Sequence, residues 1–470
     1  MSGNEGGQAK WPLLAMIGGG ILLLMAVVYV ATGGLDRDGG DDEQALQARC
    51  AFPACRAAED PGLGRGYEGP SVAVNPTDEN HMVVTDAHMS AGHCTWHVTF
   101  DRGKEWTDGT FQGPEGYTGC KINDLAAGHV PATSAGVSFG PSGKVYATYG
   151  SAHGPEDGTA ESIMLAVSGD GGKEFGTATV AARPPADVSY ARPQITTAPG
   201  PGGADRILLT FWLCTERGSA CNTALFARSD DGGLTFTPPR ELNDPPAGQT
   251  PSAALQIPDG TIYVTFARRY SDGPTDLVLA RSTDGGATFT YSMIDNQLAI
   301  GDRYDPAKLA FDERLNNLYV VYTDARTGGQ QVFFRKSADR GVTWGEPVGI
   351  APGQDAQSTG TSRTPSISVA PNGRVDLVYY RRPQADTDNV FWAYSLDGGT
   401  RFVSRQVNER PIRRYNFAAA IGDWYPPDVT STDAAAVVVW SDTANAADQD
   451  QNVQDVFLRR MSLSGDELPP

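Results

Sequence analysis

Six copies of one eight-residue turn motif constrain this chain more than any other feature. The pattern Ser-x-Asp-x-Gly-x-x-aromatic occurs as SGDGGKEF from Ser168, SDDGGLTF from Ser229 and STDGGATF from Ser282. It recurs as SADRGVTW from Ser337 and SLDGGTRF from Ser395, with the variant TFDRGKEW from Thr99. Self-similarity at such a spacing is the signature of a repeat architecture. An aspartate carboxylate can accept turn amides, and glycine tolerates the positive φ of a tight reversal. Asp101, Asp170, Asp231, Asp284, Asp339 and Asp397 are therefore read as structural braces. The aromatic at the end of each motif is expected to pack between neighbouring sheets.

A period of this length, filled with short strands, fits four-stranded antiparallel blades around a central channel. Thr364 to Arg382 shows the plan: TPSISVA, a Gly-containing turn, then RVDLVYYRR. Similar first strands begin near Pro70, Ala132, Arg192, Pro251, Pro306, Pro365 and Pro427, seven starts for six motifs. The expected fold is an all-β propeller of seven blades, with six as the alternative. The last unit ends before a fourth strand, so residues near 45–60 are expected to supply its outer strand.

Residues 11–31 contain no charge, and a helix of that length spans the ~30 Å hydrocarbon layer. They are read as an uncleaved transmembrane anchor, with 1–10 as a cytoplasmic tail. Residues 32–59 follow as an acidic linker and closing strand, 60–466 as the propeller and 467–470 as a tail. Lys10 before the segment and acidic residues after it place the propeller outside the cytoplasm, periplasmic or extracellular. Six cysteines agree with an oxidising compartment, with Cys50 near Cys55, Cys94 near Cys120 and Cys214 near Cys221. A formal charge of −19 excludes nucleic acid as a partner.

The motifs, together with EGPSVAVNPTDENHMVV, YDPAKLAFDERLNNLYVVYTDART and IGDWYPPDVTSTDAAAVVVWSD, resemble the Asp-box (BNR-repeat) sialidase-like propellers over residues ~60–466. That resemblance implies a tyrosine nucleophile, assisting carboxylates and an arginine cluster for a substrate carboxylate. Candidates on the face away from the boxes are Arg192, Arg303, Arg363, Arg414, Tyr304, Asp305 and Asp423. The chain departs from the family at its first blade, where Arg65-Gly66-Tyr67-Glu68-Gly69-Pro70 replaces an Arg-Ile-Pro signature. No catalytic set transfers residue by residue across that departure.

All six histidines lie between His81 and His153. His88, His93, His129 and His153 fall on loops of the same face, where an imidazole and carboxylate site would suit a transition metal. Asp448, Asp450, Asn452 and Asp455 resemble a calcium loop only loosely. No cofactor is implied. The leading functional expectation is a membrane-anchored binding or scaffold module, an accessory subunit with a protein or glycan partner at the propeller mouth. The alternatives are an exo-sialidase-like glycoside hydrolase and a metal or small-molecule receptor domain.

Overall fold

The computed structural model describes residues 55–58, 67–88, 93–117, 120, 135–152, 161–185, 188–215, 220–242, 248–269, 273–299, 307–326, 328–351, 360–384, 387–413, 426–443 and 455–463. The apolar segment 11–31 lies outside them. Among the described residues no helix is long and apolar enough to cross a membrane.

Seven antiparallel sheets follow one another along the chain. Blade 1 runs Tyr67–Asn75, Asp78–His88, His93–Thr99 and Thr107–Thr110 from its innermost to its outermost strand. Blades 2 to 6 repeat that order, with innermost strands Gly136–Phe139, Ser189–Pro199, Gly248–Pro251, Lys308–Asp312 and Thr361–Val369. Blade 7 comprises Asp428–Ser431, Ala436–Asp442 and Asp455–Met461, and Cys55–Ala58 supplies its outer strand. Cys55 pairs with Leu458 and Ala58 with Val456, so the first described strand closes the ring against the last. The fold is an all-β propeller of seven four-stranded blades.

The second and third strands are rich in apolar residues and largely buried because both faces of each blade are covered. Val145–Ala152 and Ala436–Asp442 are buried at every position. Seven apolar layers fill the seven gaps between blades. Val84, Trp106, Val439 and Leu458 lie between blades 7 and 1, and Trp392 and Trp440 between blades 6 and 7.

Each of blades 1 to 6 carries one repeated turn between its third and fourth strands. In blade 2 the Ser168 hydroxyl donates to Asp170 Oδ1 at 2.7 Å and accepts from Gly172 N at 2.7 Å. Asp170 Oδ1 also accepts Glu174 N at 3.1 Å. The same set joins Ser229, Asp231, Gly233 and Thr235 in blade 3, and Ser395, Asp397, Gly399 and Arg401 in blade 6. These bonds favour the ionised carboxylate: hydrogen bonds from Thr235 and Ser229 lower the Asp231 pKa to about 2.

Every box turn also bolts onto the preceding blade. A Cβ on Gly286, at φ +87, would lie 2.2 Å from Phe226 of blade 3, and one on Gly399 would lie 2.2 Å from Phe334 of blade 5. His81 of blade 1 bonds Gly171 O at 2.6 Å, and Arg228 of blade 3 donates to Gly285 O. The motif aromatics enter the same interfaces, Phe175 between blades 1 and 2 and Phe402 between blades 5 and 6. Where arginine replaces the first glycine, Arg102 (φ 71) binds Asn80 and Glu79. Arg340 (φ 62) likewise reaches Asp259, in the turn between the first two strands of blade 4. Box turns and first-to-second-strand turns thus share one face, and the opposite face is the mouth.

Disulfides join Cys94 to Cys120, with Cα atoms 5.0 Å apart, and Cys214 to Cys221, at 3.9 Å. The side chains of Cys50 and Cys55 lie outside the described residues.

Candidate functional site

The innermost strands of all seven blades enclose a cavity of about 280 Å³ in the central channel. Its wall is largely backbone and small side chains, because seven strands converge there. Among its described lining residues the ionisable ones are Arg192, Lys308 and Asp428. Lys308 of blade 5 reaches across to blade 3 and donates to Gln194 Oε1 at 2.7 Å. The Arg192 guanidinium lies 5.2 Å from the centre of the Trp212 ring, a cation–π arrangement. Asp428 Oδ2 accepts the Ser71 hydroxyl and Val72 N, both at 3.1 Å, and Oδ1 accepts Val429 N at 3.0 Å. Burial in the channel wall nevertheless raises its pKa, against those hydrogen bonds and the Lys308 charge. A cavity lined by two cations and one carboxyl favours an anionic guest.

Backbone distortion recurs at the mouth ends of three innermost strands. Gly69, Arg192 and Thr364 each precede a proline and each has positive φ, at 63, 50 and 48°. A residue before proline prefers extended backbone, and positive φ outside glycine costs of order 1–3 kcal/mol. The pairing register of these innermost strands shifts at all three places, between Glu68 and Ser71, Ala191 and Gln194, and Arg363 and Ser366. Such bulges re-aim side chains where a strand meets a site.

Several other mouth-side charges are paired. Arg363 donates to the buried Asp388 at 2.7 Å, and Arg382 to the same carboxylate at 3.2 Å. Arg381 donates to Ser362 Oγ at 3.3 Å. Arg326 binds Asp324 and, at 3.1 Å, Asp295.

Two acid–base groups stand apart. His97 in blade 1 contacts Asp86 Oδ2 at 3.0 Å and Asp108 Oδ1 at 2.7 Å. Burial alone would depress its pKa, but the Asp86 charge and hydrogen bonds to both aspartates raise it to about 9. Glu161 opens the third strand of blade 2 with 1% exposure, and neither carboxylate oxygen has a hydrogen-bond partner among the described residues. Burial pushes its pKa up to about 8.

Of the sequence candidates, Arg192 lines the cavity and Arg363 is committed to Asp388. Arg303, Tyr304, Asp305, Arg414 and Asp423 lie outside the described residues, as do His129 and His153. The His88 side chain is also outside them, and His93 opens the third strand of blade 1. Among the described residues no three His, Cys, Asp or Glu side chains group as metal ligands. The sequence reading did not single out Lys308, Gln194, Asp428, Trp212 or Glu161. The signal available for the rim was the X-Pro pair at the start of innermost strands.

No protein-family model matches the chain, and no characterised protein matches it by sequence. Its likeness is to solved structures. Its fold resembles that of an ulvan lyase. That polysaccharide lyase, solved with the disaccharide GlcA(1-4)Rha3S, is 13% identical, with 87% of this chain and 97% of the lyase covered and a TM-score of 0.52. An intramolecular trans-sialidase from Ruminococcus gnavus is 12% identical over 87% of this chain and 97% of its own, at a TM-score of 0.45. A Hadza microbial sialidase is 15% identical over 80% of this chain and 75% of its own, at 0.43.

Proposed function

We propose that the mouth of this propeller binds an acidic glycan and cleaves it. The observation behind this reading is the cavity lining, in which two cations, Arg192 and Lys308, outnumber the one described carboxyl, Asp428. That arrangement favours a uronate- or sialate-like terminus despite the net charge of −19. The six box turns support the resemblance to Asp-box propellers, and in this reading residues 11–31 anchor the chain with its propeller outside the cytoplasm. The scaffold expectation drew on the missing Arg-Ile-Pro signature, and the cationic cavity favours the glycoside-active alternative over it.

The test is turnover of sialosides and of uronate-bearing polysaccharides by the full chain in detergent. Release of sugar identifies hydrolysis, and an ultraviolet-absorbing unsaturated uronate identifies a lyase. Lys308→Ala and Arg192→Ala should each raise KM at least about tenfold, the loss of one charge-assisted contact. Equal binding of neutral and acidic glycans would sink the proposal.

A further inference from the structure

The side chain that receives the Lys308 ammonium carries no charge. Lys308 opens the innermost strand of blade 5 and donates to Gln194 Oε1, on the innermost strand of blade 3, at 2.7 Å. Gln194 Nε2 in turn donates to the carbonyl of Pro251, on the innermost strand of blade 4, at 2.8 Å. One amide thus ties blades 3, 4 and 5 together at the cavity wall. The two contacts also fix which way it points. An ammonium only donates and a carbonyl only accepts, so Oε1 must face Lys308 and Nε2 must face Pro251.

The backbone beneath this amide is held as well. The ladder between the first two strands of blade 3 breaks after Ala191 and resumes at Gln194, which pairs with Thr210. Arg192 and Pro193 stand out of the ladder, and Gln194 is the first residue back in it. Gln194 also carries the one side-chain amide among the described residues that line the cavity. Asp428 directs its oxygens to other partners, Ser71 and Val72 of blade 1 and Val429 of blade 7.

A carboxylate at position 194 would have nearly the same size and would accept the same lysine proton. It would differ in two respects. Lys308 and Gln194 are both half-buried, where an ion pair is screened less than at the surface, so a carboxylate would cancel the lysine charge. It would also set an oxygen against the Pro251 carbonyl, acceptor against acceptor. The amide orients the ammonium and leaves its charge to act on whatever occupies the cavity.

We propose that Gln194 is the specificity-determining residue of this cavity, aiming Lys308 at a carboxylate-bearing sugar without neutralising it. This role rests on the reading of the cavity as an acidic-glycan site, and it says what makes that site select charge. Gln194 acts through Lys308, as a positioning residue.

The test is isothermal titration of the full chain in detergent with D-glucuronate and with its uncharged methyl ester. The parent should bind glucuronate at least about tenfold tighter than the ester, the loss of one charge-assisted contact. Gln194→Glu should bring that ratio to about one, by weakening glucuronate and leaving the ester nearly unchanged. Gln194→Met keeps the volume but lacks a strong acceptor. It should weaken glucuronate about threefold while a preference over the ester remains. A purely structural role would shift both ligands together and keep the parent's ratio in Gln194→Glu, which overturns the inference. A preference lost as completely in Gln194→Met as in Gln194→Glu also overturns it, because charge cancellation would not then be the cause. Should Gln194→Glu fail to fold, Gln194→Met decides alone, and glucuronate bound as tightly as by the parent overturns the inference. A parent that binds the two ligands equally overturns the acidic-glycan reading, and the role of Gln194 falls with it.

Discussion

Two buried acid–base groups make this protein's stability depend on pH in a readable way. His97 binds its proton more tightly when folded, so its contribution is complete below about pH 6.5 and lost as the pH rises through about 9. Glu161 holds its proton to about pH 8 when folded, whereas the unfolded chain releases it near 4.5. Its burial therefore costs progressively more stability between those values. Glu161→Gln should stay close to the parent at pH 4.5 and exceed it by ~4 kcal/mol at pH 8 in chemical denaturation. A variant whose pH profile parallels the parent's would contradict the buried, protonated carboxyl. His97→Leu leaves Asp86 and Asp108 facing without their shared cation and should lose about 3–5 kcal/mol at pH 7. Unchanged stability there would mean the imidazole is neutral.

At the scale of the element, the box turn has two jobs that substitution separates. Gly286→Ala must accommodate both a positive φ and a Cβ 2.2 Å from the Phe226 ring. It should cost about 2–4 kcal/mol in thermal unfolding. Gly143→Ala, at φ +84 with nothing within 4 Å of the new Cβ, should cost about 1 kcal/mol, since only the backbone objects. Equal losses at the two positions would mean that contact with the preceding blade contributes nothing. Arg340→Gly relieves the positive φ while giving up the Asp259 pair, so its melting temperature should move little.

Across the whole molecule, the repeat was legible because one local hydrogen-bond pattern recurs six times in contiguous sequence. Its seventh blade was legible as a first strand without a motif, and the closing strand as the partner that blade lacked. The site was harder to read for the opposite reason. Lys308 and Gln194 are 114 residues apart and Asp428 and Ser71 are 357 apart, each contributed singly by a different innermost strand. No window of sequence contains such a set, and arginine counts alone could not tell Arg192, on the cavity, from Arg363, spent on Asp388.

The ring closure also has a consequence in time. Cys55–Ala58 leaves the ribosome ahead of every other described strand of the propeller, yet its partner Asp455–Met461 is the last of them. At about 5–20 residues per second, roughly 20–80 s of synthesis separates the two. Throughout that interval blades 1 to 6 can stack in order, each box turn seating on the blade before it. The early strand meanwhile has no place to go, and blade 1 presents an uncovered apolar face where blade 7 will dock. Whatever shields that face during those seconds decides how much of the newly made chain becomes a closed ring.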